Sequence, residues 1–278
     1  MTAPSVPLVW VDAFCDGPFG GNPAAVCLLE RPAPADAMQA LAFELGLSET
    51  AFAWPEGDGY SLRWFTPASE VDLCGHATVA TAHALRTTGR VGAGPVRFHT
   101  KSGVLTADLE TGRIVLDLPA DPPTPVAVPP ELPPSWPVAA AAIGRFDLMV
   151  ELPDADAVRA VGVDEAVPAA RRFRGVIVTA PGAGAPGPGA VADYVLRFFG
   201  PAVGVPEDPV TGSAQCTLGP YWAPRLGRSE LLAVQLSTRG GVVHVAVAGD
   251  RVRVGGHATT ILEGAVAGRA AGLLVEHG

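Results

Sequence analysis

Tyr60-Ser-Leu-Arg-Trp-Phe-Thr-Pro-Ala68 reappears as Tyr194-Val-Leu-Arg-Phe-Phe-Gly-Pro-Ala202, 134 residues later and identical at six of nine positions. The match has neighbours in the same order. Upstream, Ala35-Asp-Ala-Met-Gln-Ala-Leu41 is echoed by Ala155-Asp-Ala-Val-Arg-Ala-Val161. Downstream, Gly75, Gly103 and Gly112 align with Gly212, Gly240 and Gly249 at an offset of 137. Chance can produce one such match in an Ala/Gly/Pro-rich chain; three in the same order point to an internal duplication.

Each half then reads alike. A strand (Ala24–Leu29; Phe146–Glu151) leads to an amphipathic helix (Ala35–Leu45; Ala155–Val161). Two strands follow (Thr50–Trp54 and Tyr60–Phe65; Gly175–Thr179 and Tyr194–Phe199), then a helix of small residues (His76–Arg86; Ser213–Leu226). Three strands close the unit: Val96–Thr100, Val104–Leu109 and Arg113–Leu118, matched by Ala233–Ser237, Val242–Val247 and Arg251–Val254. Ala77-Thr-Val-Ala-Thr-Ala-His-Ala-Leu85 is small or apolar nearly all round, the mark of a buried helix. The expected fold is α+β: two pseudo-symmetric domains, each a curved, mostly antiparallel sheet or barrel around a central helix. The first spans 1–120, with about 262–278 packing back onto it, and the second 138–261; the proline-rich stretch 121–137 is expected to connect them. Pro181–Ala190, a charge-free run of Gly, Pro and Ala, reads as a mobile loop.

Bulk properties exclude several function classes. With 278 residues, 48% apolar, the chain suits two domains. A net charge of −9 argues against a nucleic-acid partner. The apolar runs are too short to span a bilayer, and Met1–Trp10 has no basic n-region or apolar h-region, so a cytosolic protein is expected. Cys15, Cys27, Cys74 and Cys216 form no C-x-x-C pair; Cys15 and Cys27 read as reduced thiols filling apolar space.

Glu70-Val-Asp-Leu-Cys-Gly-His76 and Glu207-Asp-Pro-Val-Thr-Gly-Ser213, related by the repeat, each place a glycine at a helix N-terminus, where free N–H groups favour anions. Facing each other, they would suit a small carboxylate. Ordinary capping by Asp208, Thr211 and Ser213 is the simpler alternative. Glu49, in Gly46-Leu-Ser-Glu-Thr50, sits between apolar flanks; buried there it could shuttle a proton, although a solvated glutamate fits the same junction.

Together with Val11-Asp-Ala-Phe14, Gly20-Gly-Asn-Pro23 and Phe65-Thr-Pro67, these segments resemble the PhzF-like (phenazine-biosynthesis-type) isomerase family over essentially the whole chain. The resemblance implies a diaminopimelate-epimerase-like fold and a cofactor-independent, often homodimeric isomerase, without metal, acting on a small anionic metabolite. It makes Glu49 the catalytic glutamate, supported by Ser48, His76 and Asp208, and puts Gly75, Gly212 and Ser213 at the substrate carboxylates, with Asp72 and Cys74 among the substrate contacts. Val71-Asp-Leu-Cys74 replaces the apolar, proline-containing stretch of the phenazine-producing members, which speaks against a phenazine precursor as substrate. A two-cysteine racemase of the same fold is the alternative enzyme. Cys74 fits its first thiol, but the 137 offset puts Thr211 at the second, and Cys216 lies five residues further on. A non-catalytic small-acid binder is the alternative outside enzymes. His83, His99, His244, His257 and His277 read as structural or solvated.

Overall fold

The computed structural model describes residues 4–275 except 111, 171, 183–185 and 188–189. They form two compact units, Met1–Leu116 with Gly256–Gly278, and Asp117–Gly255. The first unit runs β1 (Ser5–Ala13), β2 (Asn22–Leu28), α1 (Ala35–Leu45), β3 (Glu49–Glu56), β4 (Gly59–Phe65), β5 (Glu70–Val71), α2 (Gly75–Thr87), β6 (Gly94–Thr100), β7 (Gly103–Glu110) and, as far as Leu116, β8 (Arg113–Pro119). The second holds β9 (Thr124–Val126), β10 (Ala140–Ile143), β11 (Asp147–Glu151), α3 (Ala155–Ala160), α4 (Val163–Ala170), β12 (Gly175–Pro181), β13 (Pro186–Gly187), β14 (Ala190–Val191), β15 (Tyr194–Gly200), β16 (Val205–Asp208), α5 (Gln215–Leu226), β17 (Glu230–Gln235), β18 (Gly241–Ala248) and β19 (Arg251–Gly256). The chain then rejoins the first unit as β20 (Ala258–Ala267) and α6 (Gly268–Val275).

Strand pairing shows the duplication directly. In unit 1, β2 and β3 are parallel and β3 and β4 antiparallel, while the other edge of β4 pairs with antiparallel β5 at one end and parallel β6 at the other. In unit 2, β11 and β12 are parallel and β12 and β15 antiparallel, while the other edge of β15 pairs with antiparallel β16 at one end and parallel β17 at the other. A meander follows in each, β6–β7–β8 and β17–β18–β19. Tyr60–Phe65 and Tyr194–Phe199 thus occupy the same strand of the same motif. The opposite edges also match: β20–β1–β2 and β9–β10–β11 are antiparallel runs. The strand after each meander therefore belongs to the other unit, β9 to the second and β20 to the first.

Each mixed sheet has a packed core. In unit 1, Met38 and Ala42 of α1 and Ala271 and Leu274 of α6 cover Val6, Cys27, Phe52 and Phe65. Phe52 and Phe65 meet edge to face at 5.6 Å. The helix α2 is buried from His76 through Leu85 except at His83, which its all-round small residues require. In unit 2, Val158, Ala166 and Ala170 pack on Leu148, Val150, Val176, Val195 and Phe199. Residues 117–137 belong to this unit: β9 pairs with β10, and Leu132 and Trp136 are buried in its core. Of the loop expected over 181–190, residues 183–185 and 188–189 lie outside the described residues, and β13 pairs with β14. Among the described residues, no helix is long and apolar enough to cross a membrane.

The four cysteines are free thiols. Burial pushes the Cys27 thiol up to about 12, and burial with the nearby Asp121 charge does the same for Cys216. Burial, aided by Glu49, also raises Cys74. The folded state thus keeps protons that the unfolded chain releases near 9.0. This stabilisation is fully present below that value and is lost as pH rises through the folded pKa values. Thermal melts should show a transition temperature that holds up to about pH 9 and falls as the pH rises from there towards about 12. A flat profile across that range would contradict the burial of the thiols.

Candidate active site

Three segments of unit 1 meet at the start of α2. The first is the entry to β3. Gly46, left-handed at φ 63°, ends α1 by donating its N–H to the Ala42 carbonyl. A β-carbon is disfavoured in that conformation. The chain then buries Leu47, half-buries Ser48 and enters β3 at Glu49, opposite Ala24 of the parallel β2.

The second is the turn into β2. Gly21 (φ 67°) is held so tightly that a β-carbon would lie 2.3 Å from the Ala13 carbonyl oxygen. Phe19 is also left-handed (φ 70°) and donates its N–H to the buried Asp12 carboxylate at 2.9 Å. This turn delivers Asn22, fully buried, to the site. The third is Cys74-Gly75-His76, where extended Cys74 gives way to helix and no side-chain hydrogen bond caps the first turn.

At the meeting point, Glu49 Oε2 lies 3.0 Å from His76 Nε2, with side-chain exposures of 13% and 6%. Asn22 Nδ2 lies 3.1 Å from His76 Nδ1, and Cys74 Sγ 3.5 Å from the same nitrogen. As placed, the Asn22 amide nitrogen faces Nδ1, and Nε2 faces Glu49. That contact is close but poorly aligned, and Oε2 accepts no well-formed hydrogen bond among the described residues. Its lone pairs remain available to an incoming proton. Burial disfavours the charged imidazole, but negative charge at Cys74, whenever that thiol ionises, and at Glu49 outweighs it; the ring is held well above its usual range. The cluster therefore brings together an acidic side chain, an imidazole whose charged form is favoured and a thiol whose protonated form is favoured. Glu49, Cys74 and His76 also offer one metal-ligating atom each, all within 4.8 Å of one another.

The remaining expected residues divide between the units. Gly75 opens α2, while Asp72 is exposed and its carbonyl accepts a hydrogen bond from Ser102 at 2.7 Å. Asp208, Gly212 and Ser213 lie in unit 2. There, Asp208 Oδ2 accepts from the Thr211 hydroxyl at 2.6 Å, and Gln235 holds the turn from below. Gln235 Oε1 accepts from Thr211 N at 2.8 Å and Nε2 donates to the Asp208 carbonyl at 2.7 Å. α5 starts at Gln215 with no side-chain cap, and Ser213 Oγ faces Arg174 Nη2 at 3.3 Å.

Asn22, Arg174 and Gln235 were not singled out by sequence reasoning. Asn22 had a signal in the Gly-Gly-Asn-Pro run. Arg174 forks onto buried Asp147 and lies beside the rings of Phe146 and Phe198. Its partner is 27 residues away, and nothing local announces the pair.

Similarity to known proteins follows the same outline. The profile of the phenazine biosynthesis-like protein family, PhzC-PhzF, matches residues 11–264. A protein of Halalkalibacterium halodurans named as an uncharacterized isomerase is 44% identical over 262 residues, 93% of this chain and 97% of its own. The crystal structure of a PhzF-family protein from Enterococcus faecalis superposes with a TM-score of 0.87 at 39% identity, covering 94% of this chain and 99% of that one. A hydroxyproline epimerase from Agrobacterium vitis shares the fold at 12% identity, with a TM-score of 0.60 over 95% of this chain and 92% of its own.

Proposed function

Since the chain belongs to the PhzC-PhzF family of phenazine biosynthesis-like proteins, whose relatives are named as isomerases, we propose that it is a cofactor-independent isomerase moving a proton on a small carboxylate-bearing substrate. One observation carries this reading: Glu49 Oε2 stands 3.0 Å from the buried His76 imidazole at an uncapped helix start. Glu49 removes a proton from a carbon acidified by an adjacent carboxylate, amine or alkene and returns it elsewhere on the same face. His76 and the first N–H groups of α2 offset the negative charge that develops. Asp208, Gly212 and Ser213, and with them Ser48 and Asp72, are proposed as substrate-handling groups on the strength of the family resemblance. A cytosolic homodimer belongs to the same proposal.

A binder for small acids gains nothing from a buried carboxylate in its site, which favours catalysis over binding alone. Cys74 supports a second reading, in which the thiol takes part in proton transfer from 3.5 Å beside His76. Its raised pKa keeps it protonated near neutral pH, so it is not poised to take a proton. Incubating small amino and hydroxy acids with the protein in deuterated water tests the proposal. Enzyme-dependent deuterium incorporation at a carbon next to a carboxylate is the expected result; binding of such acids with no exchange would leave a binder.

A further inference from the structure

We propose that Glu49, Cys74 and His76 form a binding site for a soft divalent cation of the Zn2+ type, and that cation and substrate exclude each other there. The donors are one carboxylate oxygen, one imidazole nitrogen and one thiol sulfur, a mixed set that suits zinc. Their spacing fits. Tetrahedral coordination with ordinary bond lengths separates a nitrogen and an oxygen ligand by about 3.4 Å, and a nitrogen and a sulfur by about 3.6 Å. Here Glu49 Oε2 and Cys74 Sγ stand 3.0 and 4.0 Å from His76 Nε2, differences within reach of small side-chain rotations. Glu49 Oε2 accepts no well-formed hydrogen bond, so a cation would gain a donor without breaking one.

The surroundings support the ring in that role. Metal-bound histidines are normally steered by a polar group at the other nitrogen, and Asn22 lies 3.1 Å from Nδ1. Rotating its amide lets Oδ1 accept an Nδ1 proton, which frees Nε2 for the metal. Cation binding then releases to solvent the thiol proton and any proton on Nε2. Three protein ligands leave a fourth position open, where water or a carboxylate can bind. The cation acts as an inhibitor because it occupies the oxygen that takes the substrate proton. The site stands on donor geometry alone; the inhibition rests also on Glu49 being the base proposed above.

Cobalt reports both parts. Untagged, metal-free protein titrated with Co2+ should develop the intense visible bands of tetrahedral cobalt and a near-ultraviolet thiolate-to-cobalt charge-transfer band. Cys74→Ser should lose the charge-transfer band and Glu49→Gln should weaken binding, while Cys216→Ser, which alters a thiol in unit 2, should change neither. No cobalt retained after desalting, or a charge-transfer band undiminished in Cys74→Ser, overturns the site. These spectra decide it whether or not exchange is ever detected. Where the parent does exchange deuterium, stoichiometric Zn2+ should slow it by about 100-fold or more, the scale of one acid–base group, and a chelator should restore it. Zinc bound at the cluster with exchange unimpaired overturns the competition.

Discussion

Glu49→Gln abolishes isomerisation and solvent exchange while leaving ligand affinity equal or improved. The amide keeps the shape of the side chain but cannot take a proton, so the rate should fall by about 10²–10⁴-fold, the usual worth of one general acid–base group. Affinity can rise because a negative charge near the substrate carboxylate is gone; two unit charges 4 Å apart repel by about 1–4 kcal/mol in water or a partly desolvated site. Exchange in deuterated water and equilibrium binding of the same acid make the comparison. Cys74→Ser is the matched control: exchange lost in the serine variant but kept in the glutamine variant moves the chemistry to the thiol.

Arg197→Met destabilises the second unit by about 3–5 kcal/mol, the range for breaking a buried ion pair from one side. Arg197 Nε and Nη2 fork onto Glu207 at 2.6 and 3.0 Å, with side-chain exposures of 10% and 15%. Its Nη1 donates to the Val161 and Arg159 carbonyls at 2.6 and 3.1 Å, satisfying the end of α3. Methionine fills similar space but leaves a buried carboxylate and two carbonyls unanswered. Urea unfolding should show a lower midpoint, and Arg197→Met with Glu207→Gln should recover part of the loss. A change within about 0.5 kcal/mol would rank the pair with ordinary surface bridges. The duplication supplies a counterpart in unit 1. There, Arg63 forks onto Glu70 at 2.7 and 2.9 Å and, against burial and with help from Lys101, holds that carboxyl down at about 2.

The features legible in the sequence are those with a local period. The expected helix Ala35–Leu45 has the bounds of α1, and the small residues of α2 announced its burial. The repeat revealed two copies of one strand motif before any strand was placed. What escaped depends on register. β1 contains Pro7, a residue that demotes a strand, yet it is flanked by β2 and β20. β20 alternates weakly and contains Gly264. In the candidate site, Glu49, Cys74 and His76 were visible as residue types in suggestive settings. Asn22 joins them across 54 residues, a contact made by the turn at Gly21 and by no periodic pattern. Gln235 reaches Thr211 across 24 residues for the same reason.

The placement of β20 beside β1 imposes an order on biosynthesis. Residues 5–13 leave the ribosome early, but their antiparallel neighbour, residues 258–267, emerges only after the whole of Asp117–Gly255. At about 5–20 residues per second, nascent β1 waits roughly ten seconds or longer with one edge bare. That edge alternates apolar residues such as Val6 and Leu8 with exposed ones, a template for pairing with a neighbouring chain on a crowded polysome. The second unit is built from residues made consecutively, and so can finish folding while the first is still one strand short.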